Sequence, residues 1–292
     1  CRKADIPSPL PMMKAVKNEV AVKAFDNAMM RDGLAMVQFL RWLRPAVEAG
    51  GQTEISVSDK LRELRASQDL FVDLSFDTIA GYQEHGAIVH YEATPATDMP
   101  LRPEGLLLLD SGAHYLDGTT DITRTIALGP VTDEQRLVYT LVLKGNIQLA
   151  MLKFPKGASG TQLDALARKD MWSYGYNYLH GTGHGVGSYL NVHEGPHQIR
   201  MEYRPAPLLE GMTVTDEPGI YVSGRFGVRI ENTMIIEKYM TTDFGEFLQM
   251  RPLTLCPIDL APVNIDMLTA EEKAWLNNYH ADVYSKLSPL LD

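Results

Sequence analysis

Residues 106–112 read LLLLDSG, a run of four leucines that ends abruptly in the carboxylate of Asp110. Similar pieces follow, and each places an acid or a histidine where a strand is expected to begin or end. They read GTTDITR (118–124), HGTGHGVG (180–187), TDEPG (215–219) and GVRIEN (227–232). The chemistry-bearing residues of this chain therefore lie at strand termini, far apart in sequence.

Five of these side chains form a candidate ligand set: Asp110, Asp121, His184, Glu217 and Glu231. Clustered carboxylates repel one another unless a counter-charge is present. Two divalent cations of the manganese, cobalt or zinc type would balance that charge and activate a water molecule as a nucleophile. Any one piece could equally be a turn or a solvated strand face. The five together, in this order, favour a dinuclear metal site.

Residues 119–128 predict a strand with two distinct faces. Side chains alternate along a strand, so Asp121 and Thr123 share one face while Ile122 and Ile126 share the other. This pattern predicts that Asp121 points into a cavity while the isoleucines pack against the core.

Residues 227–237 also predict a strand, in which Arg229, Glu231 and Thr233 share a face. Arg229 can orient a ligand carboxylate, or it can be an ordinary salt-bridging strand residue. We favour the first interpretation. Tyr221, just after the TDEPG piece, is a weaker candidate for the same supporting role.

Composition limits the classes of protein that this chain can represent. Of its 292 residues, 45% are hydrophobic and 22% are charged, which is ordinary globular composition. The formal net charge of −10 disfavours a nucleic-acid partner. Cys1 and Cys256 are the only two cysteines, which fits a reducing compartment, and no apolar run reaches the roughly 20 residues of a membrane span. We therefore expect a cytoplasmic protein without a membrane partner.

The order of elements predicts one large α+β domain over residues 14–292, after a proline-containing linker over residues 1–13. Apolar spacing predicts a helix over residues 16–44 that Pro45 ends, and strands over residues 87–91 and 106–110. Two capping boxes, Thr132 with Gln135 and Thr269 with Glu272, predict the starts of later helices.

The chain resembles the X-prolyl aminopeptidases (aminopeptidase P) of the pita-bread metallopeptidase superfamily, most closely their cytosolic, multi-domain branch. The five pieces quoted above carry this resemblance. Further matching pieces are KAVKN (14–18), IVHY (88–91), NVHEGP (191–196), PLTLCPI (252–258) and WLNNYH (275–280). The resemblance implies an α+β pita-bread fold with two pseudo-symmetric halves around a dinuclear metal site. It also implies further N-terminal domains upstream of this catalytic one.

The resemblance assigns roles to the five ligand candidates. Asp110 would bind one metal ion, and Asp121 and Glu231 would bridge both ions. His184 and Glu217 would complete the shell of the second ion, and Glu217 would act as general base. Manganese is the expected metal, with zinc or cobalt as alternatives.

The sequence by itself cannot choose among His180, His184, His193 and His197 for the imidazole ligand. The resemblance selects His184. It makes His193 a catalytic residue that stabilises, or shuttles a proton to, the tetrahedral intermediate, and it places His90 and His180 beside it in the substrate site. With His193, His90 would also help to stabilise the oxyanion.

No such support exists for His197 and His114, which we expect to be structural. The activity implied by the resemblance is release of the N-terminal residue from peptides with proline at the second position. A prolidase that cleaves dipeptides ending in proline is an alternative, and a non-catalytic pita-bread module that binds peptides is another. A homodimer is also expected.

Overall fold

The computed structural model describes residues 8–291. The helices are α1 (Leu10–Ala15), α2 (Glu19–Ala49), α3 (Glu54–Ala66), α4 (Asp133–Ala150), α5 (Gly160–Ser173) and α6 (Ala270–Leu287). Short 3-10 helices span Gln83–Ala87, Ile265–Met267 and Ser288–Leu290. The strands are β1 (Phe71–Leu74), β2 (Ile79–Tyr82), β3 (Leu106–Ser111), β4 (Ala113–Tyr115), β5 (Gly118–Thr119), β6 (Ile122–Ala127), β7 (Lys153–Pro155), β8 (Gly183–Gly185), β9 (Glu194–Ile199), β10 (Thr213–Asp216), β11 (Gly219–Val222), β12 (Phe226–Arg229), β13 (Asn232–Thr242) and β14 (Gly245–Pro252).

The first half of the fold is a helix pair on an antiparallel sheet. Strands β2, β3 and β6 pair in that order, and α2 and α3 cover one face of their sheet. Phe39 and Leu43 of α2 and Leu61 of α3 pack there against Leu107 of β3 and Ile126 of β6, all of them buried. Removing these apolar side chains from water is the main force that joins the two layers.

The second half repeats this arrangement with different elements. Helices α4 and α5 pack on the antiparallel sheet β10-β13-β14-β7 through Leu149, Leu163, Val214, Ile236 and Leu248. Both halves thus consist of two helices on one antiparallel sheet, in agreement with the expected α+β architecture of two similar halves. Strands β3 and β6 of the first half meet β12 and β13 near the centre of the molecule. Within residues 8–291, no helix combines the length and apolar character needed to cross a membrane.

Both predicted capping boxes are present. The Thr132 hydroxyl accepts from the backbone N–H of Gln135, and the Gln135 side chain accepts from the N–H of Thr132. Thr269 and Glu272 form the same reciprocal pair at the start of α6. These side chains satisfy backbone donors that a helix start leaves free.

The N-terminal prediction of an extended linker is wrong in part. Residues Leu10–Ala15 form α1, with Pro11 in its first turn, where proline costs no helical hydrogen bond. Asn18 then caps α2, so the long helix begins at Glu19 rather than at residue 16. Residues 1–7 of the predicted linker lie outside the described residues.

Pro45 does not end the long helix, which continues to Ala49. A proline inside a helix removes one hydrogen bond and costs about 3 kcal/mol. Leu43 and Val47, on either side of the proline, are both buried in the core of the first half. Their packing offsets the cost of the proline.

Two predicted strands differ from the structure in ways that affect the site. Residues 87–91 are not a strand; Ala87 ends the 3-10 helix Gln83–Ala87, and a turn follows it. Residues 227–237 are not one strand, because the pairing stops after Arg229 and resumes at Asn232. The interruption leaves Glu231 outside both ladders.

Candidate metal centre

Three carboxylates of the site come from strand ends at the centre of the fold. Asp110 lies in β3 opposite Thr123 of β6, and Asp121 immediately precedes β6. Glu231 lies in the gap between β12 and β13. Its backbone N–H donates to Thr123 O (3.0 Å), and the Thr123 hydroxyl donates to Glu231 Oε2 (2.8 Å). Backbone and side chain of one threonine therefore fix Glu231 beside the two aspartates.

The other two candidates, His184 and Glu217, are joined by a second threonine. The Thr215 hydroxyl accepts from the N–H of His184 (3.1 Å) and donates to Glu217 Oε1 (3.0 Å). Nδ1 of His184 lies 2.9 Å from Gly185 O, so it carries the hydrogen and donates to that carbonyl. Nε2 then faces Glu217 Oε1 at 3.2 Å and Asp121 Oδ2 at 3.5 Å. Because Nδ1 is held in this way, Nε2 is the nitrogen that points at the carboxylates and that would bind a metal ion.

The five side chains fall into two overlapping groups. Ligand atoms of Asp110, Asp121 and Glu231 lie within 4.8 Å of one another, and so do those of His184, Glu217 and Glu231. A third group joins His193 to Asp121 and His184. Glu231, Asp121 and His184 each belong to two of these three groups, so the five predicted ligands form one continuous cluster.

The donor set fits a pair of divalent cations. Asp110 Oδ1 and Glu231 Oε1 are buried and have no hydrogen-bond partner within residues 8–291. A buried carboxylate oxygen without a partner is costly, and a cation would satisfy it. Oxygen and imidazole donors suit manganese, cobalt or zinc. The residues present therefore match the dinuclear site implied by the resemblance.

The ionisation of these groups reflects four crowded carboxylates and one imidazole. Burial, reinforced by the charge of Asp110, raises the pKa of Asp121 well above its usual range. Burial and the charge of Asp121 do the same to the pKa of Glu231. Burial opposes the charged form of His184, but Glu217 and Asp121 outweigh it and raise its pKa to about 9. Burial likewise opposes ionised Glu217, yet His184 lowers that pKa to about 2.

Arg229 connects the carboxylates to the cavity wall. Its Nη2 donates to Asp110 Oδ2 (2.6 Å), and its Nη1 donates to the Tyr221 hydroxyl (2.7 Å). The hydroxyl lies 2.8 Å from His180 Nε2, and His180 Nδ1 lies 2.7 Å from Gly181 O. Because Nδ1 donates to that carbonyl, Nε2 accepts from Tyr221. The contact of Arg229 with Asp110 is the one that an orienting role requires. Both ring nitrogens of His180 already have hydrogen-bond partners within the protein.

A cavity of about 400 Å³ opens beside the cluster. It is lined by metal-ligand candidates and by the three histidines predicted for the substrate site, His90, His180 and His193. Apolar side chains form part of the wall, and polar side chains of β9 and the residue after it form another part. These are Phe76, Ile79, Val89, Gln198 and Arg200.

His197 and His114, the two histidines expected to be structural, make contacts within the protein. His197 is fully buried, and its Nε2 donates to Thr213 O (2.7 Å). His114 Nδ1 lies 2.9 Å from the Thr119 hydroxyl. Neither lines the cavity. Both agree with the structural role expected for them.

The sequence interpretation missed the residues that hold the ligands in place. Thr215 lies two residues before Glu217, so strand alternation could have placed both on one face. The buried ion pair of Arg168 with Asp164 (2.6 Å) was also missed. Arg168 donates to the carbonyl oxygens of Tyr178 and His180 and so fixes the loop before His184. The two residues stand four apart on α5, so helical spacing could have predicted the pair.

A two-half α+β fold with carboxylates and an imidazole clustered between its halves is the architecture of a protein suited to binding divalent cations. The chain belongs to metallopeptidase family M24, whose family model matches residues 23–238. The model for the C-terminal region of that family matches residues 246–292. These matches confirm the family resemblance that the sequence motifs indicate.

Curated relatives carry aminopeptidase names. The chain is 43% identical to Aminopeptidase P1 of Arabidopsis thaliana, covering 98% of this chain and 48% of that protein. It is 44% identical to Xaa-Pro aminopeptidase 1 of Dictyostelium discoideum, covering 98% of this chain and 46% of that protein. The chain thus spans about half the length of the curated relatives that it matches.

Solved structures support the pita-bread fold. The X-prolyl aminopeptidase of Caenorhabditis elegans, described as a cytosolic enzyme with a di-nuclear active site, matches with a TM-score of 0.92 at 42% identity. That match covers 97% of this chain and 47% of the other. Prolidase from Pyrococcus furiosus matches with a TM-score of 0.72 at 29% identity, over 84% of this chain and 66% of that one.

Proposed function

We propose that this chain is the catalytic part of a metal-dependent aminopeptidase that releases the N-terminal residue from peptides with proline at the second position. The observation that carries the proposal is the cluster of Asp110, Asp121, His184, Glu217 and Glu231 beside a cavity. Two relatives that match 98% of this chain are named Aminopeptidase P1 and Xaa-Pro aminopeptidase 1, which supports the proposal. Two divalent cations in the cluster would supply Lewis acidity and lower the pKa of a water molecule.

Glu217 is the proposed general base. Thr215 and His184 hold its Oε1, and the carboxyl group is ionised at neutral pH because its pKa is lowered to about 2, with burial opposed by His184. An ionised carboxylate in this position accepts a proton from the attacking water and returns it to the leaving nitrogen.

His193 and His90 are proposed to stabilise the oxyanion that forms at the scissile carbonyl. Both are exposed and line the cavity, so their rings can reach a substrate. His180 uses both of its nitrogens within the protein and would present its ring to the substrate. The apolar wall of Phe76, Ile79 and Val89 offers a surface for a proline ring.

Manganese as the metal, a cytoplasmic location and a homodimer belong to the same proposal. They follow from the likeness to the aminopeptidase P branch, and the Caenorhabditis elegans relative is described as cytosolic. Light scattering after gel filtration tests the dimer, and activity restored by each metal in turn tests manganese.

The function is tested by comparing peptides of two lengths with manganese-loaded protein. We expect faster release of X from X-Pro-Y tripeptides than from X-Pro dipeptides, and no release from matched X-Ala-Y peptides. A clear preference for dipeptides would move the assignment to prolidase. Absence of hydrolysis by protein shown to contain metal would favour a binding module.

A further inference from the structure

The segment that carries His90 has little regular structure of its own. We call residues 82–99 the His90 segment. After the 3-10 helix Gln83–Ala87 it contains no helix or strand, and the next strand begins at Leu106. Val89 and His90 nevertheless line the cavity, and Val89 O accepts from Nη2 of Arg229 (3.3 Å). Contacts with residues outside the segment therefore fix its conformation.

A single buried carboxylate, that of Glu54 in the first turn of α3, binds this segment at four residues. Glu54 is 0% exposed. Its Oε1 accepts from the N–H of Tyr82 (2.8 Å), and its Oε2 accepts from the Tyr91 hydroxyl (2.8 Å) and the N–H of Met99 (3.1 Å). His85 Nδ1 lies 2.9 and 3.0 Å from the two oxygens. Both ends and the middle of the segment therefore converge on one side chain.

Two side chains that contact Glu54, those of His85 and Tyr91, lie on either side of His90 in the sequence. The His85 and Tyr91 rings stack with centroids 4.4 Å apart, and both contact Glu54. The backbone turns between them, with N–H of Ile88 donating to His85 O (3.0 Å) and N–H of Tyr91 donating to Ile88 O (3.2 Å). His90 is therefore adjacent to Tyr91 and five residues after His85, the two side chains that contact Glu54.

The opposite side of the segment rests on the strand that carries Arg229. A Cβ atom added to Gly227 of β12 would lie 1.7 Å from Gly86 O, so the two backbones touch directly. The segment is held between this contact and Glu54. A loss of the Glu54 contacts would free it to move relative to Arg229 and the cavity.

We propose that Glu54 is a positioning residue, which fixes the His90 segment so that the imidazole of His90 meets the substrate. The catalytic part of this inference rests on the proposed function. Glu54 itself touches neither the cavity nor the metal-ligand candidates. Its effect on catalysis passes through Tyr91 and His85 to the backbone at His90. Small displacements of positioned groups cost up to about 100-fold in rate.

The test compares a variant that loses one of the hydrogen bonds to Glu54 with a variant that loses a similar hydrogen bond elsewhere in the fold. Tyr91→Phe deletes the hydroxyl that donates to Glu54, and Tyr115→Phe deletes a buried hydroxyl that donates to Asp32 (3.1 Å) in a different part of the fold. Each variant loses one hydrogen bond to a buried carboxylate, and Tyr91→Phe also loses the longer contacts of its hydroxyl with Thr97 O and Oγ1 (3.3 Å each). Both variants should therefore lose stability, Tyr91→Phe by as much as Tyr115→Phe or slightly more. Glu54→Gln removes more of these hydrogen bonds. The amide nitrogen that replaces one carboxylate oxygen cannot accept from the donors around it.

We expect kcat for an X-Pro-Y tripeptide to fall about tenfold in Tyr91→Phe and further in Glu54→Gln, with KM changed less than about twofold. Tyr115→Phe should keep the kcat of the parent protein. The His90 imidazole signal, assigned with His90→Asn in histidine-labelled protein, should shift in Tyr91→Phe and stay in place in Tyr115→Phe. Equal kcat losses in both tyrosine variants, or an unmoved His90 signal in Tyr91→Phe, would overturn the proposal. The NMR comparison holds even if the parent protein cleaves no tripeptide, a result that would count against the proposed function alone.

Discussion

Nη2 of Arg229 lies 2.6 Å from Oδ2 of Asp110, while Oδ1 of the same carboxylate is buried without a hydrogen-bond partner in the described part of the chain. The guanidinium therefore holds one oxygen and leaves the other to a cation. Arg229 is itself held by Thr123, Tyr221 and Val89, so the orientation of Asp110 is fixed before any metal binds.

The first prediction concerns this contact. Arg229→Met should weaken manganese binding by about 10- to 100-fold, because the carboxylate loses the group that orients it. Metal-free Arg229→Met should also unfold at lower temperature, since Asp110 is left buried without its partner. Calorimetric titration with manganese and thermal melts measure the two effects.

Arg225→Met is the matched control for that variant. Arg225 lies just before the same strand and pairs with Glu134 through a side chain that is 56% exposed. Exposed pairs contribute little, so this variant should keep both manganese affinity and melting temperature. Equal losses of manganese affinity in the two variants would show that Arg229 does not act through Asp110.

A second prediction separates the two neighbouring histidines. The ring centroids of His184 and His193 are 4.3 Å apart, and each ring has a nitrogen within 4.8 Å of a carboxylate oxygen of Asp121. Only His184 also contacts Glu217 (3.2 Å). His184→Ala should lose metal. His193→Ala should keep metal but lose about 10²- to 10⁴-fold in turnover, as expected for an acid–base group. Metal analysis that finds His193→Ala empty and His184→Ala loaded would reverse the roles.

Removal of metal gives a third prediction, with a defined sign. Burial and neighbouring charges raise the folded pKa values of Asp121 and Glu231, and Glu217 and Asp121 raise that of His184 to about 9 despite burial. Each group then binds more protons in the folded state than in the unfolded state. The metal-free protein should therefore gain unfolding free energy as pH falls from about 8.5 to 6.5.

The metal-loaded protein should behave oppositely, because bound cations lower the same pKa values and acid releases the metal. Manganese at about 100 times its dissociation constant should add roughly 2.7 kcal/mol to the unfolding free energy at neutral pH. Urea titrations with and without chelator measure both trends. A metal-free protein whose stability stays flat or falls over this pH range would contradict the crowded-carboxylate site.

The fourth prediction concerns His197, which lies outside the cavity. Burial lowers its pKa to about 4, and its Nδ1 has no hydrogen-bond partner within residues 8–291. The unfolded chain takes up a proton near pH 6.5, whereas the folded chain does not until near pH 4. This contribution to stability is complete above about pH 6.5, and roughly 2 kcal/mol is lost by pH 5.

His197→Gln removes the titrating group and keeps an N–H donor for the carbonyl of Thr213. The stability difference between the parent protein and this variant should shrink or change sign in favour of the variant as pH falls from 7.5 to 5. Urea unfolding of both metal-free proteins at these pH values provides the measurement. Parallel pH profiles would show that His197 does not titrate as its burial requires.

Periodicity predicted those parts of the site that depend on local geometry. Alternation placed Asp121 and Thr123 on one face, and in the structure Asp121 lines the cavity while Thr123 binds Glu231 beside it. The capping boxes of α4 and α6 were equally predictable, because each involves residues only three apart. Such features need no knowledge of the tertiary fold.

Other features depend on distant contacts and were not predictable from local pattern. Pro45 remains inside α2 because Leu43 and Val47, on either side of it, pack in the core of the first half. The break around Glu231 exists because its N–H pairs with Thr123 rather than with a neighbouring strand of its own sheet. The His90 segment takes its shape from Glu54, some 30 to 45 residues earlier. In each case a long-range interaction overrides the local preference.

The most direct test of the account is anomalous diffraction from crystals grown with saturating manganese. The account predicts two manganese peaks per chain, both enclosed by Asp110, Asp121, His184, Glu217 and Glu231, with Glu231 in contact with both. A single peak at saturation, or peaks that none of these five side chains contacts, would contradict the dinuclear site on which the proposed function rests.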